Sequence, residues 1–162
     1  MEYFDVLDKN RNQKHYTKQR NNPLSENEYN QGTEIYILVD NKILITKRSK
    51  TKSHPNMWEI PGGCSITSED TKETALRELK EELNITITPK NLTLINTSIY
   101  KNMFIDIYMY KNKIKIDNIK LQKEEVSEYK LVTPKEFEQM INDKKVVPSV
   151  ATIFHEIKKL II

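Results

Sequence analysis

Three glutamates near the middle of the chain lie on one face of a predicted helix. Glu78, Glu81 and Glu82 belong to a segment whose leucines recur at helical spacing. At about 100° per residue, their carboxylates project within one sector, away from the leucines. Like charges four residues apart oppose helix formation, and a hard divalent cation, which prefers clustered carboxylate oxygens, would offset that repulsion. The alternative is a solvated acidic face in which Arg77 pairs with Glu81.

A pair of glycines precedes this helix. Gly62 and Gly63, two of the three glycines in the chain, follow a short predicted strand. Because glycine has no Cβ, we expect them to allow a tight turn and a close approach of backbone carbonyls or amides to a ligand. Glu69 lies just before the helix and adds a fourth carboxylate near the same turn. The sequence therefore favours a cation site where the glycines meet the acidic helix.

The spacing of these residues resembles the Nudix box, G-x5-E-x7-R-E-U-x-E-E-x-G-U, in which U is aliphatic. From Gly63, five residues precede Glu69, seven more precede Arg77, and the pattern continues to Ile85. One fixed position differs: Asn84 replaces the last glycine, and asparagine best tolerates, after glycine, the left-handed conformation of a helix C-cap. The sequence is identified as a member of the Nudix hydrolase family, with the box at residues 63–85.

This resemblance implies a fold, a cofactor and a reaction. The implied fold class is α/β (α+β), a Nudix-like α/β/α sandwich around a mixed β-sheet. The implied cofactor is Mg²⁺ or Mn²⁺, and the reaction is hydrolysis of the pyrophosphate linkage in a nucleoside diphosphate joined to another group. The implied metal ligands are Glu78, Glu81, Glu82 and the carbonyl of Gly63. Glu69 and Arg77 would pair, which would fix the loop before the helix and orient Glu78 as a catalytic residue.

Further candidates lie outside the box. Glu125 is the predicted general base, with Glu124 and Asp106 as alternatives, because the position of this group varies in the family; each could instead be a surface acid. Lys47 and Arg48 are candidate substrate-binding residues, since cations near an anionic substrate raise its affinity. A solvated hairpin end is the other interpretation of this basic pair. The group joined to the diphosphate is left open among nucleotide sugars, dinucleoside polyphosphates, nucleotide coenzymes and nucleoside triphosphates.

Apolar periodicity and turn residues predict the elements that must position these groups. Residues 1–33 are predicted to form an edge strand or hairpin followed by a surface loop. A hairpin over 34–46 comes next, then an exposed basic loop over 47–56 and a short strand that ends at the paired glycines. The box helix is predicted over 71–83, with Asp70 and Glu73 as a capping box. Strands are predicted at about 92–100, 103–110 and 126–132, and helices at about 134–142 and 150–160.

Composition limits the class of protein. The chain has 162 residues, is 37% hydrophobic and 30% charged, and has a formal net charge of +3. These values suit one domain over residues 1–162, with 1–33 as an N-terminal extension packed on it. No apolar run approaches the roughly 20 residues of a membrane helix, and no basic stripe is interleaved with aromatics, so neither a membrane nor a nucleic acid is a predicted partner. With one cysteine, we expect a cytoplasmic protein that binds a nucleotide-type small molecule; a homodimer is left open.

Two other functions fit the sequence less well. The N-terminal region is similar to that of the Nudix subgroup near isopentenyl-diphosphate isomerase. The isomerases need a cysteine where this chain has Gly62 and a histidine where it has Asn30, so isomerase activity is disfavoured. The second alternative is a non-catalytic nucleotide-binding sensor. Such domains usually lose carboxylates of the box, whereas all four are present here.

Overall fold

A mixed seven-stranded sheet lies between two layers of helix in the computed structural model, which describes residues 1–162. The strands are β1 (Tyr3–Leu7), β2 (Gln13–Gln19), β3 (Asn30–Val39), β4 (Lys42–Arg48), β5 (Trp58–Glu59), β6 (Gly62–Cys64), β7 (Thr93–Tyr100), β8 (Met103–Tyr110) and β9 (Val126–Val132). The helices are α1 (Thr71–Leu83), α2 (Pro134–Asn142) and α3 (Pro148–Ile161). None of them is long and apolar enough to cross a membrane.

The strand order of the sheet is β5-β4-β3-β8-β7, with β6 also paired to β3 and β9 to β4. The pair β3–β8 is parallel and the other pairs are antiparallel. Because side chains alternate across a strand, β3 supplies both cores. Ile35 and Ile37 belong to the cluster that contains Leu79 of α1, whereas Tyr36 belongs to the cluster that contains Phe154 of α3. The predicted α/β/α sandwich is confirmed.

The box helix α1 begins and ends where the sequence predicts. Asp70 and Glu73 form the capping box, with hydrogen bonds of 2.8 and 2.9 Å between side chain and backbone. At the other end, Asn84 adopts the left-handed conformation with φ 57° and donates its backbone N–H to the carbonyl of Lys80. The two ends are fixed by local hydrogen bonds, so the carboxylates on the helix have a defined direction relative to the sheet.

Strands β3 and β4 pair at only two positions, next to the turn that joins them. Beyond Leu38 and Ile43, β6 pairs with β3, while β5 and β9 pair with β4. The predicted hairpin is therefore present, but β3 begins at Asn30 rather than at Glu34, and β4 continues through Lys47 and Arg48, which were expected in a loop. The separation of the two strands opens a cavity between them.

All three glycines lie where β6 pairs with β3. Gly32 is opposite Cys64, and a Cβ on Gly62 would lie 2.0 Å from the carbonyl oxygen of Thr33. Gly62 and Gly63 lie in the extended strand β6 and have no positive φ, so the expected tight turn at these glycines is wrong. Without side chains, these glycines allow the backbones of β3 and β6 to approach closely. The short strand that begins at Trp58 was expected to end at the paired glycines, but Gly62 and Gly63 instead begin a further strand, β6. The positive-φ positions are instead non-glycine residues, such as Asp40 and Asn41 in the turn between β3 and β4.

The N-terminal hairpin β1–β2 packs against the loop that precedes α1. Phe4, Val6 and Leu7 of β1 are buried. The backbone N–H of Thr67 donates to the carbonyl of Tyr3 at 2.9 Å, and that of Ser68 donates to a carboxylate oxygen of Asp5 at 2.8 Å. Ser68 has φ 67°, a left-handed conformation that favours glycine. The hairpin therefore supplies the hydrogen bonds that hold this loop.

Candidate functional site

A cavity of about 540 Å³ occupies the space between the separated strands. Its walls come from β3, β6, α1, the loop after β4 and the first turn of α3. Charged side chains of both signs line it. The acids are Glu2, Glu34, Glu59, Glu78, Glu81, Glu82 and Glu125, and the Lys and Arg side chains are Arg20, Arg48, Lys52 and Arg77.

Arg77 links the loop before α1 to the acidic face of the helix. Its Nε and Nη2 donate to the two carboxylate oxygens of Glu69 at 2.8 and 3.0 Å, a bidentate pair. Its Nη1 donates to Glu78 at 2.9 Å and to Glu81 at 3.2 Å. Although partial burial alone would raise the pKa of Glu69, the hydrogen bonds from Arg77 and Thr74 lower it. The structure thus brings together Glu69, Arg77 and Glu78, as the box spacing predicts.

Glu78 lies directly over Gly63. The residue is 8% exposed, and a Cβ on Gly63 would lie 2.3 Å from its Oε1. Glycine at this position leaves room for the carboxylate where it now lies, and a larger residue would displace it. Burial raises the pKa of Glu78, and the positive charge of Arg77 opposes this shift.

Glu82 is the least compensated acid of the α1 group. It is 4% exposed, and its carboxylate accepts no hydrogen bond; the nearest cation is Lys52, with Nζ 3.5 Å from Oε1. Burial raises the pKa of Glu82 to about 8, against the opposing charge of Lys52 and with further increases from Glu78 and Glu59. Glu81, by contrast, is exposed. The helix therefore presents two buried carboxylates and one at the rim.

Another part of the cavity lining carries the candidate base Glu125 and the cations Arg48 and Lys52. Lys52 Nζ lies 2.6 Å from a carboxylate oxygen of Glu125, which lines the cavity. Arg48 Nη1 donates to Glu59 at 2.7 Å. Glu124 is exposed and its backbone carbonyl accepts from Ser49, so of the two adjacent acids Glu125 faces the site.

Two predicted candidates lie away from the cavity. Lys47 binds Glu128 at 2.9 Å and lies over the ring of Trp58. Asp106 accepts hydrogen bonds from Arg11 and two threonines and is not among the residues that line the cavity. The structure therefore separates these two from the box residues.

Several cavity residues are not predicted from the sequence. Glu34 lies in β3 and Glu59 in β5, each next to buried apolar residues, and an acid beside such residues is the one signal that the sequence offers. Lys52 lies in a polar loop and Arg20 at the end of the N-terminal hairpin, where nothing in the local sequence distinguishes them from other cations. Their position depends on how distant segments meet.

The donor set suits a hard divalent cation, although the carboxylates do not converge on one point. No group of three His, Cys, Asp or Glu side chains is close enough together to hold a metal ion. The donor set fits by its chemistry: Glu78 and Glu82 are both buried acids, the charge of Glu78 raises the pKa of Glu82, and a cation between them would favour ionisation of both.

The comparisons with known proteins agree with this architecture. The model of the NUDIX domain matches residues 29–154. An uncharacterised Nudix hydrolase of Listeria innocua is 28% identical over 151 residues, which cover 91% of this chain and 89% of that protein. Another, from Clostridium acetobutylicum, is 38% identical over 95 residues, which cover 52% of this chain and 45% of that protein.

Solved structures show the same fold. A protein of Deinococcus radiodurans has a TM-score of 0.78 at 20% identity, covering 96% of this chain and 98% of that one. A bifunctional NMN adenylyltransferase/ADP ribose pyrophosphatase of Francisella tularensis, complexed with AMP and a Mn ion, has a TM-score of 0.68 at 16% identity, covering 86% of this chain and 43% of that one. With the domain match extending over most of its length and the box residues assembled around one cavity, the chain belongs to the Nudix family.

Proposed function

We propose that this protein hydrolyses the pyrophosphate linkage of a nucleoside diphosphate joined to another group, with Mg²⁺ or Mn²⁺ as cofactor. The observation that carries this proposal is Glu82, a buried carboxylate that accepts no hydrogen bond inside a cavity shared with other acids. A buried carboxylate that accepts no hydrogen bond, and whose one nearby cation lies 3.5 Å away, is costly to ionise. Such an arrangement is expected where a cation completes the site.

Glu78 and Glu82 would be the principal metal ligands, with Glu81 and the carbonyl of Gly63 as further ligands. When bound, the metal ion would neutralise charge on the phosphates and lower the pKa of a bound water molecule. Arg77 Nη1 contacts one carboxylate oxygen of Glu78 and one of Glu81, which leaves the second oxygen of each for a cation. Glu69 binds Nε and Nη2 of the same guanidinium and so holds Arg77 in place.

The remaining roles fall to the part of the cavity lining that carries Arg48, Lys52 and Glu125. Arg48 and Lys52 would bind the phosphates, since both line the cavity and carry charge next to the acids. Glu125 would accept the proton of the attacking water, and its contact with Lys52 holds it towards the cavity. Lys47 could join them only after its ion pair with Glu128 opens.

The experiment is a substrate panel with Mg²⁺ or Mn²⁺, scored by phosphate released with and without added phosphatase. Glu82→Gln keeps the shape of the side chain and removes its charge, so we expect kcat to fall about a hundredfold or more. Glu73→Gln is the matched control on the same helix: glutamine also completes a capping box, and residue 73 is exposed and does not line the cavity.

Three outcomes would contradict the proposal. Equal turnover in wild type and Glu82→Gln would contradict the assignment of Glu82 as a metal ligand. Nucleotide binding without turnover across the whole panel would favour a sensor. Conversion of isopentenyl diphosphate would favour an isomerase. We do not expect this outcome, because the cysteine that the isomerases need in place of Gly62 would collide with the backbone of Thr33.

A further inference from the structure

One wall of the cavity is apolar. It consists of Ile60, Met103, Ile105, Val147 and Val150. Four of these side chains belong to the buried cluster between the sheet and α3, and Met103 packs against that cluster. The apolar residues of α1 belong to the other cluster. This wall therefore lies on the α3 side of the sheet, whereas α1 brings its carboxylates from the opposite side.

Glu34 is a buried acid that lines the same cavity. It lies on β3 two residues before Tyr36, so both side chains project from the same face of the sheet. Glu34 is 6% exposed, and its one hydrogen bond comes from the hydroxyl of Tyr36 at 3.5 Å, the outer limit for such a contact. Burial, with a further contribution from the charge of Glu59, raises its pKa well above the usual value.

Burial of Glu34 lowers the stability of the folded state unless a ligand supplies the missing hydrogen bonds. A buried carboxyl group loses its hydration, and the one long hydrogen bond of Glu34 replaces little of it. Other buried acids of the chain are well supplied: Glu28, for example, accepts from Lys18, Tyr16 and the backbone of Ser25. Glu34 lines the cavity, so a bound molecule can reach it.

We propose that this apolar wall binds a nucleobase and that Glu34 forms hydrogen bonds with the polar edge of the base. The inference rests on the proposed function, because the base is attached to the phosphates that the acidic helix would bind. A base has flat apolar faces and an edge of N–H donors and ring or carbonyl acceptors. An isoprenoid chain offers no group for Glu34, and a sugar carries more hydroxyls than this wall has polar partners. The base fits both features.

The experiment uses the full chain with Glu34→Gln and Glu34→Leu. The matched control is Glu156→Gln, which removes a neighbouring carboxylate that does not line the cavity. Calorimetry measures the binding of ADP, GDP, CDP and UDP. Kinetics compares kcat/KM for the four nucleoside diphosphate glucoses and for ribose 5-diphosphate, which has no base. Thermal unfolding shows that each variant is folded.

We expect wild type to prefer one base over another by about tenfold or more, as a site does when it is built to hydrogen-bond its ligand. Glu34→Leu loses the preference, Glu34→Gln loses or redirects it, and Glu156→Gln retains it. In the Glu34 variants, KM rises more for base-bearing substrates than for ribose 5-diphosphate. The thermal midpoint of Glu34→Leu stays equal or rises, because an uncompensated buried carboxyl is removed.

Equal binding of the four nucleotides by wild type would overturn the inference. A base preference that survives in both folded Glu34 variants would do the same, as would an equal loss of kcat/KM on the substrate without a base. If no member of the substrate panel described above is hydrolysed either, the proposed function fails, while the calorimetry still decides whether Glu34 selects a base.

Discussion

Glu82 and Asp106 are two buried acids with opposite surroundings. They are 4% and 5% exposed. Asp106 accepts hydrogen bonds from Arg11 at 2.9 and 2.7 Å, from Thr71 at 2.5 Å and from Thr97 at 2.7 Å. Glu82 accepts none. Burial acts to raise both pKa values, but the donors around Asp106 reverse the shift and lower its pKa, whereas that of Glu82 rises to about 8. The partners of a buried acid, rather than its burial, separate a structural group from a candidate ligand.

The partners of Asp106 also show what it does. Thr71 is the first residue of α1, Thr97 lies on β7, and Arg11 belongs to the loop between β1 and β2. Asp106 thus ties the sheet to the start of the box helix and to the N-terminal hairpin. As a candidate general base it has no route to the cavity, and Glu125 is the stronger assignment.

The largest predicted effect on stability comes from removing the charge of Asp106, the acid with several hydrogen-bond donors. Asp106→Asn leaves Arg11 half-buried without its counter-charge, so we expect the free energy of unfolding to fall by about 3 kcal/mol. Urea denaturation measures it. Glu82→Gln, assayed alongside, is expected to lose little stability, because Glu82 accepts no hydrogen bond and Lys52 keeps its closer partner Glu125. A similar loss in both variants would show that the two acids do not differ as described.

The next largest expected effect tests whether Gly63 is needed to make room for the carboxylate of Glu78. Gly63→Ala places a methyl group where the carboxylate lies, and a flexible side chain can move aside. We therefore expect kcat to fall by about tenfold or more while the protein remains folded. If the effect passes through Glu78, adding Glu78→Gln to Gly63→Ala costs less than the two single losses combined. Additive losses in this double-mutant cycle would separate the glycine from the acid.

The smallest expected effect concerns Glu28, a second buried acid that accepts several hydrogen bonds. The hydrogen bond from Lys18, followed by those from Ser25 and Tyr16, lowers its pKa from 4.5 to about 2. A lowered pKa in the folded state means that its contribution to stability is complete above pH 4.5 and is lost as the pH falls towards 2. Denaturation curves of Glu28→Gln should vary less with pH over this interval than those of wild type. Glu26→Gln, at an exposed position, is the control; equal pH dependence in all three proteins would contradict the assignment.

Local signals in the sequence predict the box helix. Asp70 and Glu73 act within one turn, and Asn84 needs only its own backbone conformation to end the helix. The bounds 71–83 follow from these residues. The site residues of the box share this property, since Glu69, Arg77 and Glu78 lie within one helix and the loop before it.

Long-range pairing decides what the sequence does not predict. Gly62–Cys64 becomes a strand because β3, some thirty residues earlier, offers it an edge. Glu34 and Glu59 enter the cavity because β3 and β4 separate, and Lys52 reaches Glu82 across that gap. Nothing within a few residues of these positions encodes such meetings, so their roles emerge only from the assembled sheet.

The confinement of glycine to one strand junction has a practical consequence for engineering. Ten non-glycine residues carry positive φ angles between 48° and 67°. Six of them are neither asparagine nor aspartate: Arg11, His15, His54, Ser68, Lys101 and Lys144. A left-handed conformation disfavours such residues by roughly 1 kcal/mol each. Lys101 and Lys144 lie in turns outside the cavity lining, which makes them the first positions at which glycine could raise heat resistance without disturbing ligand contacts.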